Sequence, residues 1–283
     1  MEQNFIRQLG REIRLIVCDL DNTLLDNQKT ISAANLLAIR SAQERGIFVT
    51  LCSGRTHPML EAYSRRLNIQ GPLIASNGAV IYDTRTNTLP YLKAADKEAA
   101  YALLEYCRER DLDHIAATAR GCWYCKNSRR IGRFEQYNKI AASDGLSLIP
   151  LYEFGSGYRD ALESDIYKIL VSELDSEEQR ITADYIQSLG VLSSTSSEPG
   201  LIDVSAKGVD KGEGLRNLLR LLGLEKRQAC AFGDYWNDIP MLEEAGLPVV
   251  VGNAEEEVKK HALAVTASND EDGVALALNQ YIL

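Results

Sequence analysis

The chain has 283 residues, of which 45% are hydrophobic, 25% charged and 7% aromatic. This composition is that of a globular protein and excludes disordered, collagen-like and coiled-coil chains, and the length predicts two domains or one large one. The 31 basic and 40 acidic residues give a net charge of −9. Nucleic acid and anionic membranes are therefore poor candidate partners, because both call for a basic surface.

The sequence has no signal-peptide core and no window of about 18 uninterrupted apolar residues. We therefore expect a soluble cytoplasmic protein. Cys122 and Cys125 form a CxxC pair, but no second such pair or histidine pair accompanies it at metal-site spacing. We expect all six cysteines to be reduced thiols.

Short apolar runs alternate with amphipathic segments in both outer thirds of the chain. In the first third the pattern predicts strands at residues 15–18, 47–52 and 73–75, with a helix at 32–45. In the last third it predicts helices at 211–222, 239–245, 254–261 and from about 270, with strands at 228–232, 247–251 and 263–265. Strands that alternate with helices favour an α/β fold with a Rossmann-like, doubly wound parallel sheet.

The middle of the chain has a different pattern. It predicts helices at 91–110, 129–140 and 176–189 and short strands at 114–118, 123–126, 166–171 and 191–194. We interpret it as an inserted α+β domain at residues 85–202, which divides the core into residues 1–84 and 203–283.

Two carboxylates, Asp19 and Asp21, directly follow the first buried strand. They are one residue apart, so both can turn towards one point at the carboxyl edge of the sheet, where ligands bind in open α/β folds. The alternative is a polar turn that uses Asp and Asn for local hydrogen bonds.

A second acidic segment, Gly233–Asp238, also joins a predicted strand to a helix. If Asp234 and Asp238 meet the first pair, four carboxylates need a cation among them, and oxygen ligands on short loops favour Mg²⁺. The alternative is that Asn237 or Asp238 caps the following helix.

Two further segments predict contacts with a phosphate group. Ser53 and Gly54 lie at a strand-to-helix turn, which suits phosphate oxygens. Lys211 begins a predicted helix, where the helix dipole disfavours a cation unless an anion lies opposite. A solvated surface lysine is the alternative.

The order Asp-x-Asp, Ser, Lys, Gly-Asp-x-x-Asn-Asp resembles the haloacid dehalogenase-like (HAD) superfamily, and in particular Cof-type phosphatases with an inserted C2B-type cap. Three more segments resemble that branch: Ser76-Asn77-Gly78-Ala79, Gly252-Asn253-Ala254 and Asp270-Glu271-Asp272-Gly273-Val274-Ala275. The sequence departs from the pattern at Tyr235-Trp236, where bulky side chains are expected to narrow the cleft.

The resemblance implies a mechanism. Asp19 is the expected nucleophile, which forms an aspartyl-phosphate, and Asp21 is the expected general acid and base, with a pKa raised by neighbouring carboxylates. The implied metal is Mg²⁺, held by Asp19, Asp21 through its backbone carbonyl, and Asp234, with Asp238 beside it. The implied phosphate-binding residues are Leu20, Ser53, Gly54, Lys211 and Asn237. Candidate substrate contacts are Asn77, Arg129, Arg130, Arg133 and Tyr158; for the arginines, a solvated helix face is the alternative.

The expected activity is hydrolysis of small phosphomonoesters, above all sugar phosphates. Two alternatives stay open: a sugar phosphomutase, and a non-catalytic phospho-receiver or metabolite-binding regulator. A receiver needs only about half this length and has no use for an inserted cap. Neither the physiological substrate nor the oligomeric state can be predicted from the sequence.

Overall fold

The computed structural model describes residues 2–155, 158–196 and 199–283. The chain forms two compact units, one made of Met1–Pro90 with Asp210–Leu283 and the other of Tyr91–Val209. We call them the core unit and the cap unit.

The core unit begins with α1 (Glu2–Gly10), β1 (Leu15–Cys18), α2 (Ala33–Glu44), β2 (Phe48–Leu51), α3 (Glu61–Arg66), β3 (Pro72–Ala75) and β4 (Val80–Asp83). The strand β5 (Thr88–Leu92) leads into the cap unit. The cap unit contains α4 (Lys97–Glu109), β6 (Asp113–Thr118), β7 (Gly121–Tyr124), α5 (Ile131–Asp144), β8 (Leu151–Glu153), α6 (Arg159–Leu162), β9 (Ile166–Ser172), α7 (Ser176–Ser188), β10 (Leu192–Thr195) and β11 (Ile202–Ala206). The core unit resumes with α8 (Lys211–Leu222), β12 (Ala229–Gly233), α9 (Ile239–Glu243), β13 (Leu247–Val250), α10 (Glu256–Lys259), β14 (Ala264–Val265) and α11 (Gly273–Tyr281).

The core unit is built on a five-stranded sheet in the order β14-β13-β12-β1-β2. All of its strand pairs are parallel. β1 and β12 are neighbours although they are far apart in the chain, so the strand order reverses between them, and this is where open α/β sheets bind ligands. The predicted α/β fold with a doubly wound parallel sheet is confirmed.

The central strands are apolar throughout because helices cover the sheet. Every residue of β1, β12 and β13 is buried, as expected for parallel strands packed on both faces. Helix α2 contacts α11, and α8 contacts α9. Ser32 caps α2 by accepting a hydrogen bond from Asn35 N, and Asp210 caps α8 by accepting one from Glu213 N.

The cap unit contains a six-stranded sheet in the order β10-β11-β9-β6-β7-β8. Its pairs are antiparallel except β7 with β8. The helices α4 and α7 contribute apolar side chains such as Leu103, Leu104 and Ile186 to one core with the sheet residues Ile169 and Val204. The expected α+β character of the middle segment is therefore observed.

The units divide a few residues later than the predicted boundaries after residues 84 and 202. β11 pairs with β10 and β9 in the cap sheet, whereas the sequence prediction had assigned most of it to the core. The predicted helix at 91–110 was wrong at its beginning, because residues up to Leu92 form β5 and the helix begins at Lys97. Among the described residues, the helices are too short or too polar to span a bilayer.

Candidate active site

Three carboxylates from two segments of the chain meet at the carboxyl edge of the core sheet. Asp19 directly follows β1, Asp234 directly follows the neighbouring strand β12, and Asp238 lies in the short turn before α9. One oxygen of each can be chosen so that all three lie within 4.8 Å of one another. All three residues are buried, Asp238 completely. The turn fits because Gly233 has no side chain: a Cβ there would lie 2.6 Å from Asp238 Cβ.

The cation at this cluster is Lys211, the first residue of α8. Its Nζ donates to Asp19 Oδ1 at 2.6 Å and to Asp238 Oδ1 at 2.5 Å, and the residue is only 1% exposed. The surface-lysine alternative is therefore wrong. Burial alone lowers the pKa of Lys211, but the Asp19 and Asp238 carboxylates outweigh burial and raise it, so this lysine is charged.

Negative charge nevertheless exceeds positive charge here, since one lysine faces three carboxylates. Burial raises the pKa of Asp19 well above its ordinary value, although Lys211 acts in the opposite direction. Burial, and next the Asp238 charge, raise the pKa of Asp234 to about 7. Both shifts arise because desolvated acids lie close together. A further cation would oppose the shifts, since it stabilises the ionised form of these acids.

Two carboxylate oxygens of the cluster are available to such a cation. Asp238 Oδ2 accepts from the backbone N–H groups of Asp234 and Tyr235 at 3.0 Å each, so with Lys211 both of its oxygens are engaged. Asp234 Oδ1 accepts from Thr23 Oγ1 at 2.5 Å. Asp19 Oδ2 and Asp234 Oδ2 accept no hydrogen bond from the described part of the chain. The donor set is all oxygen, which fits a hard divalent cation.

Asp21 does not join the other three carboxylates. It forms a two-bond pair with Arg55, from Nε to Oδ2 at 2.9 Å and from Nη2 to Oδ1 at 2.8 Å, and Lys29 Nζ lies 3.3 Å from Oδ1. Burial alone raises the pKa of Asp21, but the hydrogen bonds and charge of Arg55, followed by Lys29, outweigh it and lower the pKa. The expectation of a raised pKa was wrong, because the nearest charges to Asp21 are cations.

The predicted phosphate-binding side chains lie on the neighbouring turns of the core unit. Ser53 is buried, and its Oγ accepts from Arg55 N at 3.2 Å. Asn77 N donates to Ser53 O at 3.0 Å, and Asn237 Nδ2 donates to Asn77 Oδ1 at 3.2 Å. A Cβ on Gly54 would lie 3.1 Å from Asn77 Oδ1. The turns after β2, β3 and β12 are therefore linked by contacts among predicted site residues.

Leu20, Tyr235 and Trp236 lie in the two segments that carry the carboxylates. Leu20 is buried, and its carbonyl accepts from Leu25 N at 2.8 Å. Tyr235 is partly buried, but Trp236 is 46% exposed. Trp236 therefore leaves nearly half of its surface in solvent, and a narrowing of the cleft by these two side chains stays a prediction.

The predicted substrate contacts in the middle of the chain all belong to the cap unit. Arg129 and Arg130 donate their backbone N–H groups to Asp113 Oδ2 at 2.7 and 3.0 Å, and Arg133 is exposed on α5. Tyr158 is 4% exposed, and its hydroxyl lies 3.1 Å from His114 Nε2. Tyr158 thus packs within the cap core, and a contact of these four residues with substrate stays a prediction.

Sequence analysis missed two residues at this site. Arg55 follows the Ser53-Gly54 pair and was assigned no role, although the structure places it on Asp21; its Nη1 also donates to Tyr63 OH at 3.3 Å. Thr23 lies two residues after Asp21, and its Oγ1 donates to Asp234 Oδ1. The closeness of Arg55 to Ser53 and of Thr23 to Asp21 in the sequence could have indicated a role. The partners of both residues could not be predicted, because they lie on other segments of the chain.

Comparison with known proteins identifies the family. A model of the haloacid dehalogenase-like hydrolases matches residues 16–278. This chain belongs to that family. The resemblance found in the sequence is therefore confirmed, and the chain is an enzyme of the HAD hydrolase family.

Relatives of known name and structure agree with this assignment. The chain is 30% identical to the 5-amino-6-(5-phospho-D-ribitylamino)uracil phosphatase YwtE of Bacillus subtilis, over 95% of this chain and 98% of that protein. A haloacid dehalogenase-like hydrolase structure from B. subtilis matches with a TM-score of 0.80 and 29% identity, over 94% of this chain and 99% of that one. A structure described as a HAD subclass IIB sugar phosphatase matches with a TM-score of 0.77 and 25% identity, over 95% of this chain and all of that one.

Proposed function

We propose that this chain is a Mg²⁺-dependent phosphatase that hydrolyses small phosphomonoesters, above all sugar phosphates, through an aspartyl-phosphate on Asp19. The observation that carries the proposal is the state of the Asp19 carboxylate: Oδ1 is held by Lys211 Nζ at 2.6 Å, while Oδ2 accepts no hydrogen bond from the described residues. A carboxylate oriented by a buried cation with one oxygen available has the arrangement of a nucleophile.

Mg²⁺ is the cation that best fits the free oxygens of the cluster. Asp234 Oδ2 and one carboxylate oxygen of Asp19 would be its side-chain ligands, and the backbone carbonyl of Asp21 would be the third protein ligand; the other Asp19 oxygen is the one that attacks phosphorus. When bound, Mg²⁺ neutralises charge on the carboxylates and on the phosphoryl oxygens. Asp238 lies beside the metal and holds Lys211, because its own oxygens already accept three hydrogen bonds.

The first chemical step is attack of an Asp19 oxygen on phosphorus. The bond from phosphorus to the ester oxygen breaks, and the leaving alcohol takes a proton from Asp21. For that donation Asp21 has to leave Arg55, since the ion pair with Arg55 keeps this carboxyl ionised.

The second step removes the phosphoryl group from Asp19. Asp21 accepts a proton from water, the water oxygen bonds to phosphorus, and the Asp19 carboxylate leaves, which regenerates the enzyme. An ionised Asp21 is the correct form for this step, and the arrangement with Arg55 supplies it. Because Arg55 fixes both carboxylate oxygens, the observed state corresponds to the base form of Asp21.

The transferred phosphoryl group is held by the turns around the cluster. Lys211 Nζ, Ser53 Oγ and Asn237 Nδ2 are the side-chain donors, and the backbone N–H groups of Leu20 and Gly54 complete the set. Positioning and charge neutralisation contribute most of the rate enhancement in phosphoryl transfer. Contacts between the alcohol part of the substrate and Asn77, Arg129, Arg130, Arg133 or Tyr158 are proposed as the source of selectivity.

The substrate class rests on the names of the relatives. The B. subtilis relative is named for a substrate that carries a phosphorylated ribityl chain, and one structural relative is described as a sugar phosphatase. Both names describe phosphate esters of small polyhydroxylated molecules. Such metabolites are found in the cytoplasm, which is the location we propose.

Release of inorganic phosphate from a panel of sugar phosphates, sugar-alcohol phosphates and pyridoxal phosphate tests the proposal. Turnover is expected with Mg²⁺ and not with excess EDTA, and Asp19→Asn is expected to be inactive on the whole panel. Phosphate release without a divalent cation, or by the Asp19→Asn variant, contradicts the mechanism. With a hexose 1-phosphate, an isomerised sugar phosphate instead of free phosphate identifies a mutase, and a panel without turnover identifies a regulator.

A further inference from the structure

The segment that follows Asp19 has an irregular backbone. Asp21 has an extended conformation, Asn22 is left-handed with φ 61°, and Leu25 N bonds back to Leu20 O at 2.8 Å. Such a segment cannot satisfy its own backbone groups through regular secondary structure, so it needs partners elsewhere to keep one conformation.

Three side chains from the end of the chain supply these partners. Asn253 Nδ2 donates to Asn22 O at 2.8 Å, and Asn269 Nδ2 donates to Leu25 O at 3.0 Å. Asp270 Oδ1 accepts from Asn27 N at 2.9 Å, and Asp270 Oδ2 accepts from Asn27 Nδ2. We call Asn253, Asn269 and Asp270 the C-terminal clasp. It holds the segment at three backbone positions spread over six residues, 22 to 27.

The members of the C-terminal clasp are also fixed relative to one another. Asn253 Oδ1 accepts from Asn269 N at 3.0 Å, so both ends of the Asn253 amide are engaged. Asn269 is buried, at 4% exposure. The turn that carries it is tightened by Ser268, whose side chain bonds with Glu271. The clasp is therefore internally linked, because the Asn253 amide that contacts Asn22 also accepts from the backbone of Asn269.

We propose that Asn253 and Asn269 are positioning residues for phosphoryl transfer. They hold the backbone on the C-terminal side of Asp21, while β1 holds it on the N-terminal side of Asp19. The distance and direction between the two reacting carboxyl groups are thereby fixed. This inference rests on the proposed function of Asp19 and Asp21. It assigns a role to the Gly252-Asn253-Ala254 segment and to the turn before α11, which the mechanism leaves without one.

The decisive variant is Asn253→Ala, because Asn253 is exposed and its loss leaves Asn22 O in contact with water. The matched control is Asn279→Ala. Asn279 also donates its Nδ2 to a backbone carbonyl, Ala275 O at 2.9 Å, but within α11. Asn269→Ala is the second variant; it leaves the buried Leu25 carbonyl without its donor, so we expect it to lose more stability than Asn253→Ala.

We expect Asn253→Ala to lower kcat about 10- to 100-fold with KM changed less than about threefold, since small misplacements of reacting groups have effects of this size. Asn279→Ala should keep wild-type kcat. Hydrogen–deuterium exchange of the peptide covering residues 20–30 should become faster in Asn253→Ala and stay unchanged in Asn279→Ala.

A kcat for Asn253→Ala within about twofold of Asn279→Ala, with faster exchange in residues 20–30, overturns the positioning role. Exchange that is unchanged in Asn253→Ala overturns the C-terminal clasp itself, whether or not the enzyme turns over. Absence of wild-type turnover on every phosphomonoester contradicts the proposed function instead. The exchange measurement does not depend on turnover, so it separates a failure of the proposed function from a failure of the C-terminal clasp.

Discussion

Each unit of this protein buries a lysine against aspartate, but the two arrangements differ in charge. In the cap unit, Lys168 Nζ lies 2.7 Å from Asp203 Oδ1, with 7% and 4% of the side chains exposed. In the core unit, Lys211 contacts Asp19 and Asp238 and lies in the cluster that also contains Asp234. Among the described residues, the cap pair joins one lysine to one aspartate, whereas the core cluster has two more carboxylates than lysines.

This difference separates a structural ion pair from a site that performs chemistry. In a buried pair of opposite charges each charge stabilises the other. The loss of either partner lowers the stability of the fold, because it leaves an uncompensated buried charge. Burial, together with the neighbouring carboxylates, raises the pKa of Asp19 and of Asp234, and an excess of buried carboxylates is unfavourable for folding. Perturbed acids of this kind cluster at functional sites. Burial combined with unmatched charge therefore distinguishes the candidate active site from the cap pair, which is also buried.

The largest expected effect comes from replacing one aspartate of each arrangement by asparagine. Asp19→Asn should lower kcat by at least about 10³-fold, since it removes the proposed nucleophile. It should not lower the free energy of unfolding, because it removes one of the excess carboxylates. Asp203→Asn should lower that free energy by about 3 kcal/mol, because it leaves Lys168 buried without this charge partner. Phosphate release and urea unfolding measure the two effects, and equal losses of stability contradict the distinction.

Lys211→Met removes the lysine of the core cluster and so tests the same comparison. It should lower kcat by about 10²- to 10³-fold, since a buried charge no longer stabilises the phosphoryl oxygens. It should also lower the unfolding midpoint in EDTA, because three carboxylates then face one another. Added Mg²⁺ should recover part of that midpoint. A variant that is equally stable with and without the metal contradicts the idea that excess charge governs this cluster.

Mg²⁺ should stabilise the wild-type protein against unfolding by about 2.7 kcal/mol at a concentration 100 times its dissociation constant. Asp234→Asn should lose most of this stabilisation, since it removes one of the two oxygens available to the metal. Asp184→Asn is the control, because Asp184 lies on α7 and is 64% exposed at its side chain. Thermal unfolding with and without Mg²⁺ measures the effect, and equal shifts in both variants contradict the assigned ligands.

The smallest effect concerns a partly buried histidine outside the carboxylate cluster. Burial lowers the pKa of His57 from 6.5 to about 4. The folded state therefore keeps His57 neutral while the unfolded state takes up a proton below about pH 6.5. His57 thus contributes a loss of stability as the pH falls from 6.5 towards 4. His57→Phe should reduce the fall in unfolding free energy between about pH 7 and pH 5 by about 2 kcal/mol, measured by urea unfolding; an unchanged fall contradicts the assignment.

Much of the core unit could be predicted from the sequence because its signals are local. The strand β1 and the helix α8 have the predicted bounds, since an apolar run marks the strand and a capping Asp210 with Gly223 marks the helix. Asp19 and Asp234 could be identified because each directly follows a buried strand. In a parallel sheet all such positions lie on one edge, so their convergence follows from the fold class.

The cap unit was harder to predict because its strands are short and some are partly exposed. β8 has three residues, none of them buried, and was missed. Residues 203–206 of β11 were assigned to the core, although the hydrogen bonds of this strand are with β10 and β9. In an antiparallel sheet the pairing partner is chosen by tertiary packing, which a single strand sequence does not record.

The sequence by itself determined the fold class, the positions of the clustered carboxylates and the family, since each depends on periodicity or on residues within a few positions of one another. Only the tertiary structure decided how the charges pair. Asp21 turns to Arg55 and not to the other acids, and Lys211 reaches Asp19 across 192 residues of chain. The reason is physical: electrostatic energies depend on distance and burial in space, and neither can be read from the order of residues.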